Sequence, residues 1–370
     1  MRIAFYAPLK SPDHPVVSGD RQMARLIVRA LEEAGHEVKL ASRMRVFLLS
    51  GEDFEENDLR AEAEDEQKRI LADWGQAGSI TPDLWLTYHP YYKSPDWIGP
   101  AIAKELNIHY ATIEASYAGK RENGPWGAAQ DDVRDGLRQA VVNFYMTDRD
   151  REGLAVACGG ERRLVHLPPF TDLADFPERQ SRGGGPARLF TAAMMRRDVK
   201  LESYRFLANA LEHVKGDDWV LDIAGSGAAE DEVRDAFSDF SPECVFWRGA
   251  LSEEGLRRAL ASADVFLWPG IGEAYGMVYL EAQGCALPVI AQETAGVPSV
   301  VRDDVGGLLT EEGDVAAYGR AIERLITDES LRARLGEGAK DYVFANHGLE
   351  MAAQRLDMAL RKACEGWGAQ

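Results

Sequence analysis

The chain has 370 residues, more than a single ordinary α/β core uses, and this length predicts two domains. A formal charge of −19 disfavours a nucleic-acid partner and a polybasic attachment to anionic lipid, because both need a basic surface. Met1 leads directly into an apolar strand rather than a signal peptide, and no apolar run approaches the ~18 residues that span a membrane. We therefore expect a cytoplasmic protein without a transmembrane segment.

The first half of the chain alternates apolar runs with helical stretches. The strand–helix–strand pattern at its start predicts a parallel, right-handed unit. Residues 52–74 form a charged helical stretch, which is typical of a solvated helix face. The predicted strands of this half are residues 3–7, 37–41, 83–87, 108–113, 141–146 and 163–167.

A change in composition marks the predicted domain boundary. Residues 176–187 contain proline, arginine, serine and three glycines without apolar periodicity, which indicates a flexible linker. We predict a first domain over 1–175, a second over 188–346, and a C-terminal helix over 347–370 that packs back toward the first domain. The strands predicted for the second domain are 188–193, 219–224, 244–247, 263–268, 287–291 and 307–309. The fold class is α/β, with two doubly wound domains facing a central cleft.

The most informative stretch is residues 263–291, which reads as strand, loop, helix and strand. Glu273 falls in the loop and Glu281 about two turns into the helix. Ligands of open α/β sheets bind beyond the carboxyl ends of the strands, where the following helix presents free N–H groups. Carboxylates near such a helix end suggest a ligand with both phosphate and hydroxyl groups, as nucleotide-sugars have.

The sequence around these glutamates resembles that of a known family. Glu273 and Glu281 have seven residues between them, and Pro269-Gly270 precedes them. Further segments that match the family follow in order at residues 287–289, 296–298 and 306–309. The stretch resembles the signature of the retaining GT-B glycosyltransferases of family 4. That resemblance implies two Rossmann-like domains, a nucleoside-diphosphate sugar as co-substrate, transfer of a hexose-type sugar to an acceptor hydroxyl with retained anomeric configuration, and no metal or other cofactor.

The resemblance assigns the donor-binding residues. It implies that Glu281 holds the ribose hydroxyls and that Glu273, a catalytic residue, lies near the hydroxyls of the donor sugar. An ionised carboxylate suits both roles because it is a strong hydrogen-bond acceptor. The remaining residues expected to contact the donor, mostly through backbone groups, are Ala274, Tyr275, Gly276, Met277, Gly225 and Arg248.

The departing diphosphate needs positive charge, which an arginine and a lysine supply in the family. Lys200 matches the family lysine, but Met195 stands at the usual arginine position. Arg196 is the expected replacement, with Arg197 as the other possibility. In the first domain, the family's paired glycines beside the phosphate are reduced to Gly19.

The acceptor side departs further from the family pattern. The family often has a histidine after the strand at 108–113, where this chain has Glu114. We expect Glu114 to orient the acceptor hydroxyl, with His89 as an alternative contact. Ser116 and Lys120, in the long polar loop that follows, are the other predicted acceptor residues.

Two alternatives remain open from the sequence. The chain could be a sugar-nucleotide epimerase or a phosphorylase on the same fold, or a nucleotide-sugar-binding protein that has lost catalysis, since fold alone does not fix function. The expected partners are a nucleotide-sugar donor and a small-molecule, glycan or lipid acceptor. The sequence does not specify the donor base, the sugar, the acceptor or the oligomeric state.

Overall fold

The computed structural model describes residues 1–16, 18–50, 53–174, 176–177, 179, 184–216 and 218–367, with residues 53–55 and 367 described by their backbone alone. The strands in this part of the chain are β1 (Arg2–Tyr6), β2 (Glu37–Leu40), β3 (Leu84–Tyr88), β4 (His109–Ile113), β5 (Val142–Tyr145), β6 (Leu164–His166), β7 (Ala187–Ala192), β8 (Trp219–Ala224), β9 (Val245–Gly249), β10 (Val265–Leu267), β11 (Val289–Gln292) and β12 (Gly307–Thr310).

The helices alternate with these strands, as the sequence predicts. They are α1 (Gly19–Glu33), α2 (Asp53–Trp74), α3 (Gly99–Glu105), α4 (Gly127–Gln139), α5 (Asp148–Cys158), α6 (Val199–Leu211), α7 (Glu230–Ala236), α8 (Glu253–Ser262), α9 (Met277–Gly284), α10 (Val315–Thr327), α11 (Glu329–Asn346) and α12 (Leu349–Trp367). Short 3-10 turns occur at Gly119–Arg121 and Val297–Ser299.

The chain divides into two compact units, each built on a six-stranded parallel sheet. Unit 1 comprises Met1–Pro168 and Leu349–Gln370, with the strand order β2-β1-β3-β4-β5-β6. Unit 2 comprises Pro169–Gly348, with the order β12-β11-β10-β7-β8-β9. The predicted α/β class with two doubly wound domains is confirmed.

The observed boundaries differ from the predicted ones, because the segment after Pro168 already packs within unit 2. The N–H group of Thr171 donates to the carbonyl oxygen of His347 at 2.9 Å. The guanidinium of Arg257 lies 4.7 Å from the ring centroid of Phe176. This segment therefore belongs to unit 2 rather than to the end of the first domain.

The predicted linker over 176–187 is also anchored where it is described. Arg179 Nη2 lies 3.0 Å from Asp264 Oδ1, and β7 begins at Ala187. Residues 178 and 180–183 of the predicted linker lie outside the described residues. At the other end, α12 belongs to unit 1, where it packs on α1 and Asp357 contacts the His36 ring at 3.0 Å.

Apolar side chains explain the sheets. Every residue of β3, β10 and β11 is buried, and such continuous apolar runs are typical of parallel strands covered on both faces. In unit 1, Trp85 packs edge-on against Tyr6 and Trp74 beneath α2. None of the described helices is both long and apolar enough to cross a lipid bilayer.

Candidate functional site

The loop before α9 owes its shape to one buried tyrosine. Tyr279 donates its hydroxyl to the Trp268 carbonyl oxygen at 2.9 Å. Its ring occupies the space where side chains would stand at two loop positions. A Cβ at Gly270 would lie 2.3 Å from the Tyr279 hydroxyl, and one at Gly276 would lie 2.6 Å from the ring. Both glycines have positive φ, 73° and 77°. Glycine is therefore required at these two positions, because of the backbone conformation and because a side chain has no space there.

This loop brings Glu273 against Lys200. The ammonium of Lys200 and the Oε1 atom of Glu273 form an ion pair, and Nε1 of the buried Trp268 donates to the same oxygen at 2.9 Å. The ammonium also lies 5.4 Å from the centroid of the Trp268 ring. The two residues predicted to act at the sugar and at the diphosphate are therefore in direct contact.

Sheet order explains why these side chains meet. Lys200 is in the first turn of α6, which follows β7, and Glu273 is in the loop that follows β10. Because β7 and β10 are hydrogen-bonded parallel neighbours, the segments after their carboxyl ends lie side by side. Ser203 of α6 joins them by accepting a hydrogen bond from the Ile271 N–H group at 3.1 Å.

The predicted backbone donors lie at the start of α9. Gly276 is the residue before the helix, Met277 is its first residue, and Tyr275 is buried. The first N–H groups of a helix have no partner within it, and the helix dipole favours negative charge there. Unit 2 thus places a helix N-terminus next to the Lys200–Glu273 pair, where an anionic ligand would be stabilised.

Glu281 lies on α9 between Leu280 and Ala282, which are fully buried as the sequence predicts. Its own side chain is half-buried, and no hydrogen-bond donor among the described residues reaches its carboxyl group. Burial raises the pKa of Glu281 to about 7; Glu253 adds to the rise, and Arg257 opposes it. A partly buried carboxylate without a donor is costly, which favours a ligand role over a structural one.

Gly225 and Arg248 come together at the ends of β8 and β9. The Gly225 N–H group donates to the Gly249 carbonyl oxygen at 2.8 Å. A Cβ at Gly225, where φ is 141°, would lie 2.0 Å from the Ala193 carbonyl oxygen. Arg248 Nη2 lies 2.5 Å from Oδ1 of the buried Asp222, so its charge is already paired. The backbone, rather than the guanidinium, is the part of Arg248 that remains for a ligand.

Arg196 does not join the Lys200–Glu273 pair. Its side chain is exposed, and Nη2 lies 3.1 Å from the Met194 sulfur on the same loop. Met195, at the usual arginine position, is buried and accepts a hydrogen bond from Ala229 at 2.9 Å through its carbonyl oxygen. Arg197 pairs with Glu232 at 2.5 Å. The arginine that would complete the predicted phosphate contact is therefore not in place in this conformation.

Unit 1 has a second cluster of polar side chains, at the carboxyl ends of four adjacent strands. His89 follows β3, Glu114 follows β4, Asp20 is in the first turn of α1 after β1, and Asp150 is in the first turn of α5 after β5. His89 Nδ1 lies 3.3 Å from Asp20 Oδ1. The predicted residues His89 and Glu114 are thus two members of one group of a histidine and three carboxyls.

Two members of this cluster are held in a strained backbone conformation. His89 and Glu114 adopt positive φ values of 58° and 54°, which non-glycine residues rarely do. Each extends a strand ladder: the His89 N–H donates to Ile113 at 2.8 Å, and the Glu114 N–H donates to Phe144 at 2.9 Å. Strained backbone of this kind is concentrated at functional sites.

The cluster alters the ionisation of its members. Burial lowers the pKa of His89, but the Asp20 hydrogen bond and the charges of Glu114, Asp20 and Asp150 outweigh it and raise the pKa to about 9. Burial raises the pKa of Glu114 to about 7, against the opposing charge of His89. A protonated histidine and a carboxyl that titrates near neutrality therefore lie together.

Of the other predicted residues in unit 1, Ser116 bonds to a member of this cluster, Gly19 directly precedes Asp20 in the chain, and Lys120 lies in a separate turn. Ser116 hydrogen-bonds Asp150 and donates its N–H group to Pro90 at 3.1 Å. Lys120 is exposed in the 3-10 turn Gly119–Arg121. Gly19 begins α1 with Ser18 as its cap, so it forms a helix start rather than a glycine loop.

Several residues of this region were missed by sequence reasoning. Asp20 and Asp150 belong to helix first turns, where acidic residues are common for local reasons alone. Tyr91, Tyr92 and Trp126 form a continuous row of ring contacts with His89, at centroid distances of 5.0 to 5.4 Å. The density of aromatic residues over 88–92 is the signal that would have indicated this row.

Comparison with known proteins agrees with this architecture. Residues 186–328 match the family described as Glycosyl transferases group 1. A GDP-mannose-dependent alpha-(1-6)-phosphatidylinositol monomannoside mannosyltransferase from Mycolicibacterium smegmatis is 31% identical over 59% of this chain and 61% of its own length. A D-inositol 3-phosphate glycosyltransferase from Salinispora arenicola is 42% identical over 30% of this chain and 24% of its own length. The chain thus spans less than two thirds of both relatives.

Among solved structures, Anabaena Alr3699/HepE in complex with UDP superposes with a TM-score of 0.74, at 12% identity, over 98% of this chain and 100% of that one. Identity this low bears on the fold alone. The chain therefore has the two-domain GT-B fold, and its residues 186–328 match the group 1 glycosyl transferases.

Proposed function

We propose that this chain is a glycosyltransferase that moves a hexose-type sugar from a nucleoside-diphosphate donor to an acceptor hydroxyl, with retained anomeric configuration and without a metal ion. The observation that carries the proposal is the Lys200–Glu273 ion pair beside the start of α9. On the same helix lies Glu281, whose carboxyl group no hydrogen-bond donor among the described residues reaches. These groups match the three parts of such a donor: diphosphate, sugar and ribose.

Unit 2 has the chemistry to bind the donor. The N–H groups at the start of α9 and the Lys200 ammonium would hold the diphosphate, and Glu281 would accept hydrogen bonds from the ribose hydroxyls. The mannosyltransferase relative is named for GDP-mannose and the Anabaena neighbour for a UDP complex, so a nucleoside diphosphate is the common donor element.

The proposed catalysis is electrostatic. As the sugar–phosphate bond breaks, negative charge develops on the diphosphate, and Lys200 with the α9 N–H groups would stabilise it. Glu273 would then exchange its contact with Lys200 for the hydroxyls of the donor sugar. No covalent nucleophile is required if the acceptor attacks from the face that the diphosphate leaves.

Unit 1 would supply the acceptor contacts. Glu114, whose pKa is about 7, is suited to accept or return a proton near neutrality, and protonated His89 is a hydrogen-bond donor. We therefore assign the acceptor hydroxyl to the His89–Glu114 cluster, with Ser116 beside it.

The test starts with thermal denaturation of the purified chain in the presence of UDP, GDP, ADP, UDP-glucose and GDP-mannose. A nucleotide that binds the folded state must raise the midpoint, and Glu281→Gln must reduce that rise. The stabilising sugar nucleotide is then incubated with EDTA and an acceptor mixture, and the anomeric proton coupling of the product is read by NMR.

A new glycoside with the donor's anomeric configuration, formed in EDTA, is the expected product. A free epimerised sugar without acceptor would instead identify an epimerase. Donor binding without turnover under any condition would identify a binding protein that lacks catalysis.

A further inference from the structure

We propose that unit 1 contains an anion subsite that takes the phosphate of a phosphorylated sugar or cyclitol acceptor. It is formed by three cations, Arg45, Lys93 and Arg121, arranged on three aromatic rings, Phe47, Tyr92 and Trp126, which we call the ring-and-cation cluster. The inference rests on the proposed function, because a ligand bound here becomes an acceptor only if the chain is a glycosyltransferase.

The cations of the ring-and-cation cluster lie over ring faces. The Arg121 guanidinium is 4.3 Å from the Tyr92 ring centroid, and the Arg45 guanidinium is 4.9 Å from that of Phe47. Lys93 lies between these two pairs. Its ammonium is 5.5 Å from the Trp126 centroid and 6.0 Å from that of Phe47. Tyr92 and Trp126 meet edge to face at 5.0 Å.

Three loops form this cluster, and backbone hydrogen bonds hold two of them together. They follow β2, β3 and β4, so all leave the carboxyl edge of the sheet. The Leu48 N–H group donates to the Lys93 carbonyl oxygen at 2.8 Å, and the Ser94 hydroxyl donates to Val46 at 2.8 Å. The third loop contributes Arg121 from a 3-10 turn. The arrangement is therefore set by the fold rather than by side chains alone.

Among the described residues, no carboxylate forms an ion pair with a cation of the cluster. In the part of the chain that is described, Arg45, Lys93 and Arg121 form no ion pair within 4.0 Å. Glu122, next in the chain, is hydrogen-bonded by Tyr117 and lies 3.9 Å from Arg134, and Asp13 pairs with Arg43. Three neighbouring cations without an ion pair to any described residue are unexpected in a chain of formal charge −19. A ligand anion would provide the missing charge.

Ring contacts connect this cluster to the proposed acceptor hydroxyl site. The His89 and Tyr91 rings are 5.2 Å apart, and those of Tyr91 and Tyr92 are 5.4 Å apart. Arg45 and Asp20 are both close enough to Tyr91 to influence its pKa. One acceptor molecule could therefore present a hydroxyl at His89 and a phosphate two rings further along.

The chemistry favours a ring that carries a phosphate over either group alone. An aromatic ring can pack against the apolar C–H face of a sugar or cyclitol, and the Tyr92 and Trp126 rings lie beside the cations of the cluster. Arginine holds two phosphate oxygens in a fixed geometry, and lysine adds a point charge. The ring-and-cation cluster has aromatic rings and phosphate-binding cations side by side.

The experiment is calorimetric titration of the full chain, without donor, with matched pairs of ligands. The pairs are glucose 6-phosphate against glucose and myo-inositol 1-phosphate against myo-inositol, with inorganic phosphate as a further probe. We expect at least one phosphorylated ligand to bind more tightly than its parent and than phosphate. Lys93→Met and Arg121→Gln should each weaken that binding roughly tenfold.

The matched control is Lys68→Gln, which removes one positive charge from an exposed position on α2 where Lys68 pairs with Asp65. It should leave affinity unchanged, and calorimetric melting must show that all three variants remain folded. A second arm measures binding to phosphatidylcholine vesicles with and without phosphatidylinositol. Binding only to the phosphatidylinositol vesicles, lost in Lys93→Met, would place the same phosphate on a lipid headgroup.

Equal affinity for phosphorylated and parent ligands, together with no vesicle binding, would overturn the inference. So would phosphate-dependent binding that persists in Lys93→Met and Arg121→Gln. The proposed function fails separately, because its test is donor binding and turnover at Glu281 and Glu273, which this titration does not use.

Discussion

Lys200 and Glu273, 73 positions apart in the chain, form an ion pair next to the indole nitrogen of Trp268. Their side chains are only 19% and 16% exposed, so each charge depends on the other for compensation. If Glu273 contacts the donor sugar and Lys200 the diphosphate, we expect the pair to open when the donor binds. The ion pair thus keeps both groups ordered without a ligand.

The first prediction concerns the kinetics of this pair. Glu273→Gln should lower kcat by ~100-fold or more, because it removes a charge that acts on the reacting sugar. Lys200→Met should lower kcat by a similar factor while changing the KM for acceptor much less. Steady-state rates with the donor selected by thermal denaturation measure both effects. Full activity in Glu273→Gln would refute its placement in the site.

The same variants should also be less stable than the unsubstituted chain. Each single substitution leaves one partly buried charge unpaired and should cost about 1–3 kcal/mol of unfolding free energy, whereas the double variant should cost less than the sum. Arg197→Met is the matched control, since it removes an exposed ion pair with Glu232 and should cost under ~1 kcal/mol. Additive losses in calorimetric melting would mean that Lys200 and Glu273 do not interact.

The second prediction is a pH-dependent donor affinity. Glu281 has a pKa of about 7, and its ionised form is the stronger acceptor for ribose hydroxyls. The affinity for UDP-glucose or GDP-mannose should therefore rise by up to roughly tenfold from pH 6 to pH 8 as the carboxylate forms. Titration calorimetry measures this change.

Two variants control this experiment. Glu281→Gln should bind more weakly with no rise across this range. Glu253→Gln should move the rise to lower pH, because Glu253 helps to raise the Glu281 pKa. A rise that persists in Glu281→Gln would assign the titration to another group.

The third prediction concerns stability against pH in unit 1. The folded pKa of His89 is about 9, above its ordinary 6.5, so its stabilising contribution is complete below pH 6.5 and is lost as pH rises through 9. The Glu114 pKa is about 7, above its ordinary 4.5, so the folded state binds the extra proton and stability falls from pH 4.5 to 7.

Melting curves of variants separate these two groups. Relative to the unsubstituted chain, Glu114→Gln should make the decrease in stability between pH 4.5 and 7 less steep. His89→Gln should do the same between pH 6.5 and 9. Ser238→Ala, a change on the exposed surface of unit 2, is the control and should leave the profile unaltered. Unchanged slopes in both cluster variants would contradict the assigned pKa values.

The fourth prediction tests the turn after β8. Gly225→Ala places a Cβ 2.0 Å from the Ala193 carbonyl oxygen at a φ of 141°, so the turn must move, at an expected cost of about 2–4 kcal/mol. Gly249→Ala also has positive φ, but its Cβ meets no atom of the described residues within 4 Å, and it should cost only about 1 kcal/mol. Equal melting temperatures for the two variants would show that the turn is not fixed by close approach.

The positions of the strands followed from sequence patterns. Apolar runs bounded by glycine, proline and polar residues predicted the strand at 219–224 as observed for β8, and the others to within a few residues. The loop and helix that carry Glu273 and Glu281 were predicted for the same reason, because their conformation depends on residues next to them in the chain. The roles assigned to these glutamates stay predictions.

The domain boundary could not be predicted in this way. Glycine-rich composition at 176–187 indicated a linker, yet Phe176 and Arg179 are anchored to Arg257 and Asp264, far along the chain. Composition reports local flexibility and contains no information on which distant side chain will hold a segment. The structure therefore moved the boundary to Pro168.

The sequence by itself determined a chain of two parallel α/β units with Glu273 and Glu281 on one loop and helix. Only the tertiary structure decided that Lys200 contacts Glu273, that Asp20 and Asp150 surround His89 and Glu114, and that Arg196 points elsewhere. The physical reason is strand order. The helices and loops after two strands meet only when those strands are neighbours in the sheet, and periodicity within a strand does not specify its neighbour.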